Sequence, residues 1–165
     1  MVSERFIRLS ITPLMLLSFL SSVITLAIAA SLEAHWANVG FPNTSYRDRE
    51  RVLLAAGIWG TIISLYALIG TFFFPAHVAF GIMFHLIAFI VAFILYLVGA
   101  SSLTALTDKI DCGHSTVSRC NVTKGLVAIG WIETIFIFII LIVVFILGVK
   151  SRSGKGMRRG ALTDA

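Results

Sequence analysis

The sequence predicts an all-α membrane protein, a bundle of four transmembrane helices. Hydrophobic residues make up 58% of the chain and charged residues only 13%, and the mean hydropathy is +0.98, which together exclude an ordinary soluble domain. The apolar residues form four runs, 9–30, 52–74, 78–100 and 126–149, and each can cross a bilayer core that needs about 20 residues. Because backbone groups in lipid need internal hydrogen-bond partners, the runs must be helices. We therefore predict a transmembrane domain over 1–149 and a tail over 150–165.

The first run allows two interpretations. Arg5 and Arg8 precede it, and Ala27-Ile28-Ala29 resembles a cleavage site, as in a signal peptide. The run is longer, however, than the apolar region of a signal peptide, which has about 7–15 residues. We therefore interpret it as the first transmembrane helix.

With four spans, both termini lie on one side of the membrane and the loops 31–51 and 101–125 on the other. Basic residues are nearly equal in number on the two sides, so the positive-inside rule barely separates them. Both glycosylation sequons, which begin at Asn43 and Asn121, and both cysteines fall on the loop side. Glycans and disulfides belong to the lumen or the exterior. We therefore predict cytoplasmic termini, with Asn43 and Asn121 as possible glycosylation sites.

Small residues mark the faces on which the helices are expected to pack, because close backbone approach drives helix association in lipid. The residues predicted on these faces are Ser21, Thr25, Ala29, Ala56, Gly60, Ser64, Gly81, His85, Ala88, Ala92, Tyr96 and Gly99. The pattern fits packing within the bundle, and it also fits a homodimer or partner interface. Between helices two and three, Phe74-Pro75-Ala76-His77 predicts a tight antiparallel turn.

Two ionisable residues, Glu133 and His85, fall inside the predicted spans. An acid at the centre of a span costs about 2.5–3.5 kcal/mol on insertion scales, so Glu133 is expected to have a partner. The hydroxyls of Ser22, Thr25 and Tyr96 are candidate donors. Three roles remain open for Glu133: a structural hydrogen bond, contact with a partner subunit or lipid headgroup, or an ion or proton path. We expect His85 to lie too far toward the opposite surface for a direct pair.

The loop 107–125 holds the two cysteines, Cys112 and Cys120, with His114 between them. The spacing matches none of the strong zinc patterns, so we predict no metal site and a disulfide between the cysteines. In the loop-closure model such a bond contributes about 2.5 kcal/mol. The alternating charges of 46–51 indicate either a solvated stem or the first polar turn of helix two.

The tail is basic and directly follows a span, where each basic residue gains about 1 kcal/mol against anionic lipid. Its basic residues are Lys150, Arg152, Lys155, Arg158 and Arg159. They fit a stop-transfer anchor, and they also fit specific recognition of lipid headgroups or of a protein. No phosphate loop, Ser/His/Asp constellation or paired carboxylates argue for an enzyme. The stretch Ile135–Leu147 of helix four is apolar all round and reveals no ligand face.

The stretch "SLTALTDKIDC" leading to "RCNVTKGLVAIGWIETIFI", with the earlier "NTSYRDRERV" opening helix two, resembles the MARVEL-domain proteins. The likeness covers 5–149 and is strongest to the fungal members of the non-classical-export and eisosome-associated type. It rests on the four spans, the tight link between helices two and three, and the paired cysteines before helix four. The resemblance implies a non-enzymatic membrane organiser, a trafficking factor, or an accessory subunit of a larger membrane protein.

We accordingly expect no cofactor beyond bound lipids or sterol, and no nucleic-acid partner. The expected partners are membrane lipids and either a larger membrane protein or further copies of the chain. The expected location is the plasma membrane, with the endoplasmic reticulum or Golgi as alternatives. Two other hypotheses compete: a small channel or transporter subunit that uses Glu133 and His85, and the membrane subunit of an enzyme whose catalytic chain is separate.

Overall fold

The computed structural model describes residues 4–73, 82–108, 110, 112–113 and 119–151. Four α-helices account for nearly all of them: α1 is Glu4–Val39, α2 is Thr44–Phe73, α3 is Ile82–Thr107 and α4 is Cys120–Ser151. Each contains a segment long and apolar enough to cross a membrane, and these segments are Thr12–Val39, Thr44–Gly70, Met83–Thr107 and Cys120–Ile146. Within these described residues, the predicted all-helical fold with four helices of membrane-spanning length and composition is confirmed.

The helices extend beyond the predicted apolar runs at their loop-side ends. α1 continues to Val39 and α2 begins at Thr44, so the predicted first loop shrinks to residues 40–43. The charged stretch 46–51 is therefore helical, the second of the two interpretations given above. Hydropathy marks the part of a helix that suits lipid and not the point where its hydrogen bonding stops. A segment of 28 residues such as Thr12–Val39 is about 42 Å long, more than a hydrocarbon core of about 30 Å.

Two local signals end α1 and begin α2. Gly40 has a φ of 90°, a left-handed conformation that suits glycine just past a helix, and its N–H donates to the Trp36 carbonyl at 2.8 Å. Three residues later the Asn43 side-chain oxygen accepts from the N–H of Tyr46 at 2.7 Å, which makes Asn43 the N-cap of α2. The two helices thus reverse through a short, capped connection.

The four helices form a ring in which α1 packs against α2 and α4, and α3 packs against the same two helices. The interior is filled by apolar side chains, among them Met15, Leu32, Leu53, Phe89, Leu103, Leu126, Ile137 and Ile140. The outside carries large apolar side chains as well, so that Ile135, Phe138 and Phe145 of α4 are each more than half exposed, at 56%, 52% and 58%. An apolar exterior of this kind suits contact with lipid.

The predicted small-residue faces lie inside the ring. Those within the described residues are buried: Ser21, Thr25, Ala29, Ala56, Gly60, Ser64, His85, Ala88, Ala92, Tyr96 and Gly99. Gly57 shows how close α1 and α2 come, because a Cβ there would lie 3.0 Å from the backbone N and Cα of Leu26. Gly81 and the predicted turn at 74–77 lie outside the described residues.

Residues 40–43 lie at the same end of the bundle as residues 108, 110, 112–113 and 119, and we call this the loop end. Three contacts tie the helices together there. The Arg49 guanidinium donates to the Ser102 carbonyl at 2.8 Å, Arg51 pairs with Glu33 at 2.6 Å, and the hydroxyls of Tyr46 and Thr123 are hydrogen-bonded. The loop end is therefore a polar layer that caps an apolar interior.

Candidate functional site

Glu133 of α4 lies in the interior of the ring with no exposed surface. Three serine hydroxyls of α1 donate to its carboxyl group. Ser18 and Ser22 donate to Oε1, at 2.6 Å and 3.0 Å, and Ser21 donates to Oε2. Both oxygens of this buried acid are thus paired with hydroxyl donors, as burial of a polar group requires.

We call Ser18, Ser21 and Ser22 the serine cradle. Their spacing of three and four residues puts all three on one face of α1, so a single helix can surround one carboxyl group. The Ser18 hydroxyl also lies 3.3 Å from that of Ser64 on α2. The cradle therefore connects three helices through hydroxyl and carboxyl groups alone.

Gly60 of α2 makes room beside the serine cradle. A Cβ at this position would lie 2.6 Å from the Ser22 hydroxyl and 3.0 Å from the Tyr96 hydroxyl, closer than any side chain tolerates without a shift. Tyr96 of α3 has no exposed surface, and its hydroxyl interacts with the hydroxyls of Ser22 and Thr25. All four helices therefore meet at this level of the bundle.

The donors to Glu133 differ in part from those weighed in the sequence. Ser22 does donate to it, whereas Thr25 donates instead to the Ser21 backbone carbonyl at 2.9 Å. Ser18 and Ser21 were not considered as donors, although the spacing Ser18-x-x-Ser21-Ser22 on one helix face could have indicated them. The sequence placed Glu133 inside a span, but it did not show which face of α1 packs against that residue.

The hydrogen bonds of Ser21 restrict how the protons of the cradle can be arranged. Its hydroxyl has one proton but approaches three acceptors: Glu133, the Leu17 carbonyl at 2.9 Å and the Ser18 carbonyl at 3.2 Å. The ion pairs of the described residues are Arg47–Asp48 and Arg51–Glu33, so neither gives Glu133 a counter-charge. The three serine hydroxyls are therefore the groups that compensate the burial of this acid.

His85 lies elsewhere in the bundle. It is 2% exposed, and its ring neighbours are Tyr66, Phe84 and Phe89, with centroids 6.2–6.5 Å away. Tyr96, which interacts electrostatically with Glu133, is eleven residues further along α3, about 16 Å at the helical rise per residue. Glu133 and His85 thus occupy separate levels, one lined by hydroxyls and the other by aromatic rings.

The loop between α3 and α4 contains a disulfide between Cys112 and Cys120, with a Cα–Cα distance of 5.5 Å. Both sulfurs are therefore engaged, and the described residues contain no group of three or more potential metal ligands. His114 lies outside the described residues, as do Arg152, Lys155, Arg158 and Arg159 of the tail. Lys150 falls within α4, but its side chain is not among those described.

The two sequons differ in their surroundings. Asn43 is exposed in the short connection between α1 and α2, and its cap uses only the side-chain oxygen. Asn121 is also exposed but lies in the first turn of α4. The third residue of its sequon, Thr123, is 1% exposed and is hydrogen-bonded to Tyr46. The Asn121 sequon is therefore helical, and its threonine is sequestered in the folded chain.

The chain has no significant match among protein-family models, characterised proteins or solved structures. The geometry described above is therefore what bears on function.

Proposed function

We propose that the protein is a non-enzymatic, multi-pass membrane protein that acts as a membrane-organising or trafficking scaffold, or as an accessory subunit of a larger membrane complex. The observation that carries this proposal is the use of the interior acid. Glu133 is engaged on both oxygens by serines of a neighbouring helix, so its role is to hold α1 against α4. The working surface is then the outside of the bundle.

The separation of the two interior ionisable groups supports this proposal over a channel or transporter. A conduit needs several polar groups in series, broken helices or internal repeats. Here Glu133 accepts from three serine hydroxyls, and His85 packs among the rings of Tyr66, Phe84 and Phe89 at a different level. The described helices α1–α4 run unbroken through their candidate spans.

The outside of the bundle supports a partner of apolar chemistry. On α3 and α4 the exposed large side chains include Phe84, Ile87, Ile94, Ile135, Phe138 and Phe145. Such a surface suits lipids, sterol or the transmembrane helices of another protein, and in lipid the last of these associate through shape and van der Waals contact. The resemblance of the loop-end sequences to MARVEL-domain proteins points in the same direction.

We further propose that the termini are cytoplasmic and that the loop end faces the exterior or the lumen, in the plasma membrane or along the route to it through the endoplasmic reticulum and Golgi. The placement of the disulfide and of both sequons at one end of the bundle supports this orientation, because disulfides and N-glycans form on that side of the membrane.

Purification in mild detergent tests the scaffold directly. We expect a larger membrane protein, or further copies of this chain, to co-purify in a fixed ratio. A monodisperse single chain, obtained also after cross-linking in the membrane before extraction, would contradict the accessory-subunit proposal. A co-purifying catalytic chain would instead identify the protein as the membrane subunit of an enzyme.

The Glu133→Gln variant separates the scaffold from the conduit. Gln preserves the shape of the side chain, and its oxygen can still accept from Ser18 and Ser22. We expect ion and proton flux in reconstituted vesicles to equal that of vesicles without protein, for wild type and variant alike. Wild-type flux that the variant abolishes would overturn the proposal in favour of a channel or transporter.

A further inference from the structure

The loop end contains a second acid with no exposed surface, Glu50 of α2, which the sequence analysis did not single out. Unlike Glu133, both of its carboxyl oxygens are buried without a hydrogen-bond partner among the described residues. Most buried polar groups in proteins are paired, so each exception requires an explanation, such as a bound water, ion or proton.

Glu50 is surrounded by further unpaired polar atoms. Glu33 of α1 uses Oε1 to accept from Nε and Nη2 of Arg51, at 3.0 Å and 2.6 Å, while its Oε2 is buried and unpaired. The indole N–H of Trp36 is also buried with no partner in hydrogen-bond geometry, and the Glu50 carboxyl is the acceptor with which it interacts. Four unpaired polar atoms thus collect at one contact between α1 and α2, where we call Glu33 and Glu50 the loop-end carboxyl pair.

The charges around this pair do not balance. Glu50 interacts unfavourably with Glu33 and favourably with Arg51, and Arg51 already binds Glu33. Two ionised carboxylates against one guanidinium leave one uncompensated negative charge at a buried site, which is costly. Tyr46, the other titratable neighbour on α2, is occupied with Thr123 of α4. The segment 99–107 of α3 contains no titratable residue.

A metal ion does not suit the site. Calcium takes about six to eight oxygen ligands and zinc about four, whereas the described residues hold no group of three or more potential metal ligands. The four unpaired atoms are also closed off from solvent. A proton supplies one positive charge and needs no extra space.

We propose that the loop-end carboxyl pair binds one exchangeable proton, held by Glu50, which makes the contact between α1 and α2 at the loop end responsive to pH. With the proton bound, Glu50 is neutral and can donate to an acceptor, while Glu33 remains paired with Arg51. Loss of the proton places two negative charges against each other across the helix contact. Since the pair without its proton carries a negative charge that Arg51 does not compensate, the contact is weaker at high pH than at low pH.

Trp36 provides a local reporter of the proton. The other two tryptophans are engaged away from the site, Trp59 with the Ala88 carbonyl and Trp131 with the Thr104 hydroxyl. A chain carrying Trp59→Phe and Trp131→Phe has Trp36 as its single indole. Its fluorescence, measured in detergent or nanodiscs from about pH 5 to about pH 8, is expected to change with a single-proton transition, because a carboxylate forms next to the ring.

Two substitutions in that background test the assignment. Glu50→Gln removes the proton site while keeping the shape, and it is expected to abolish the transition. Asp48→Asn changes an acid two positions away that is largely exposed, and it is expected to leave the transition in place. A flat titration of the parent chain, or a transition that persists in Glu50→Gln, would overturn the proposal.

A third substitution covers the case in which Glu50→Gln does not fold. Glu33→Gln removes the facing negative charge, so Glu50 should lose its proton more readily and the midpoint should move to lower pH. An unchanged midpoint would contradict the pairing of the two carboxyl groups.

Calcium separates a proton from a metal ion. Repeating the titration of the parent chain with CaCl₂ and with a chelator should give the same midpoint. A large displacement by calcium would replace the proton with a metal ion as the ligand and overturn the proposal. None of these outcomes depends on whether partners co-purify. The proposed proton site and the proposed scaffold function are therefore tested independently.

Discussion

Glu133 and Glu50 are both acids without exposed surface, yet their surroundings are opposite. Three hydroxyls of one helix meet Glu133, whereas both oxygens of Glu50 are unpaired and a second acid lies close by. Glu133 accepts hydrogen bonds from serine side chains that are part of the fold, so it can serve as a fixed contact between α1 and α4. Glu50, in our proposal, is compensated by a bound proton that can dissociate. Burial of an acid therefore does not by itself indicate its role, and the donors around it do.

The largest effect should follow removal of the Glu133 side chain. Glu133→Ala deletes the acceptor of three hydroxyls and leaves a cavity, and we expect it to lower the free energy of unfolding by about 3 kcal/mol. Glu133→Gln keeps the shape and should cost less than about 1 kcal/mol. Titration with sodium dodecyl sulfate in mixed micelles measures both. Equal losses for the two variants would mean that the charge, and not the hydrogen-bonded shape, holds α1 to α4.

The close approach at Gly60 should give the next largest effect. The Cβ of Gly60→Ala would overlap the Ser22 hydroxyl and crowd Tyr96, and overpacking of this kind costs about 1–3 kcal/mol. Gly125 of α4 is a matched control, since a Cβ there would meet nothing within 4 Å. Gly125→Ala should be neutral or stabilise by up to about 1 kcal/mol. Equal stability of the two variants would show that Ser22 and Tyr96 can move aside for a Cβ at position 60, which would contradict tight packing around the serine cradle.

The same apolar replacement should have opposite signs at the two acids. Glu50→Leu removes two unpaired oxygens from a buried site, and we expect it to raise the free energy of unfolding by about 1–2 kcal/mol at neutral pH. Glu133→Leu should lower it, because the serine cradle loses its acceptor. Detergent unfolding of both variants tests the comparison, and destabilisation by both substitutions would contradict it.

Single members of the serine cradle should have the smallest effects. An interhelical hydrogen bond in a membrane protein is worth about 0.6 kcal/mol on average, so we expect Ser18→Ala and Ser22→Ala each to lose roughly this amount. A serine hydroxyl outside the cradle, that of Ser31, bonds only within its own helix, and Ser31→Ala is the control. Losses several times larger would show that the three hydroxyls act as a unit.

Hydropathy and length predicted the four helices because the four runs leave no other arrangement for their backbone groups. The helix ends were not predictable in the same way. Tyr46–Arg51 alternates in charge and reads as solvated, yet the cap at Asn43 begins α2 before it. Glycine is common just after a helix and asparagine is common at an N-cap. Gly40 and Asn43 could therefore have indicated the end of α1 and the start of α2.

The two acids show why one candidate site was predictable and the other was not. Glu133 stands out because a charge within an apolar run has an evident cost. Glu50 lies among charged residues in the sequence. An additional acid in such a stretch gives no sign that it is buried. Its burial results from packing of the loop end, in which Trp36 and Tyr46 meet with ring centroids 5.8 Å apart. Packing between distant segments does not follow from the local pattern of either.

The hydrogen bond between Tyr46 and Thr123 has a consequence for the order of events during synthesis. Thr123 belongs to the sequon of Asn121, and in the finished bundle its hydroxyl is sequestered against α2. A glycosyltransferase and Tyr46 would thus compete for the same short stretch of chain, one before assembly and the other after it. Glycosylation of Asn121 would therefore indicate that α4 packed against α2 only after the glycan was added. Glycosylation of Asn43 would give no information about when α4 packs.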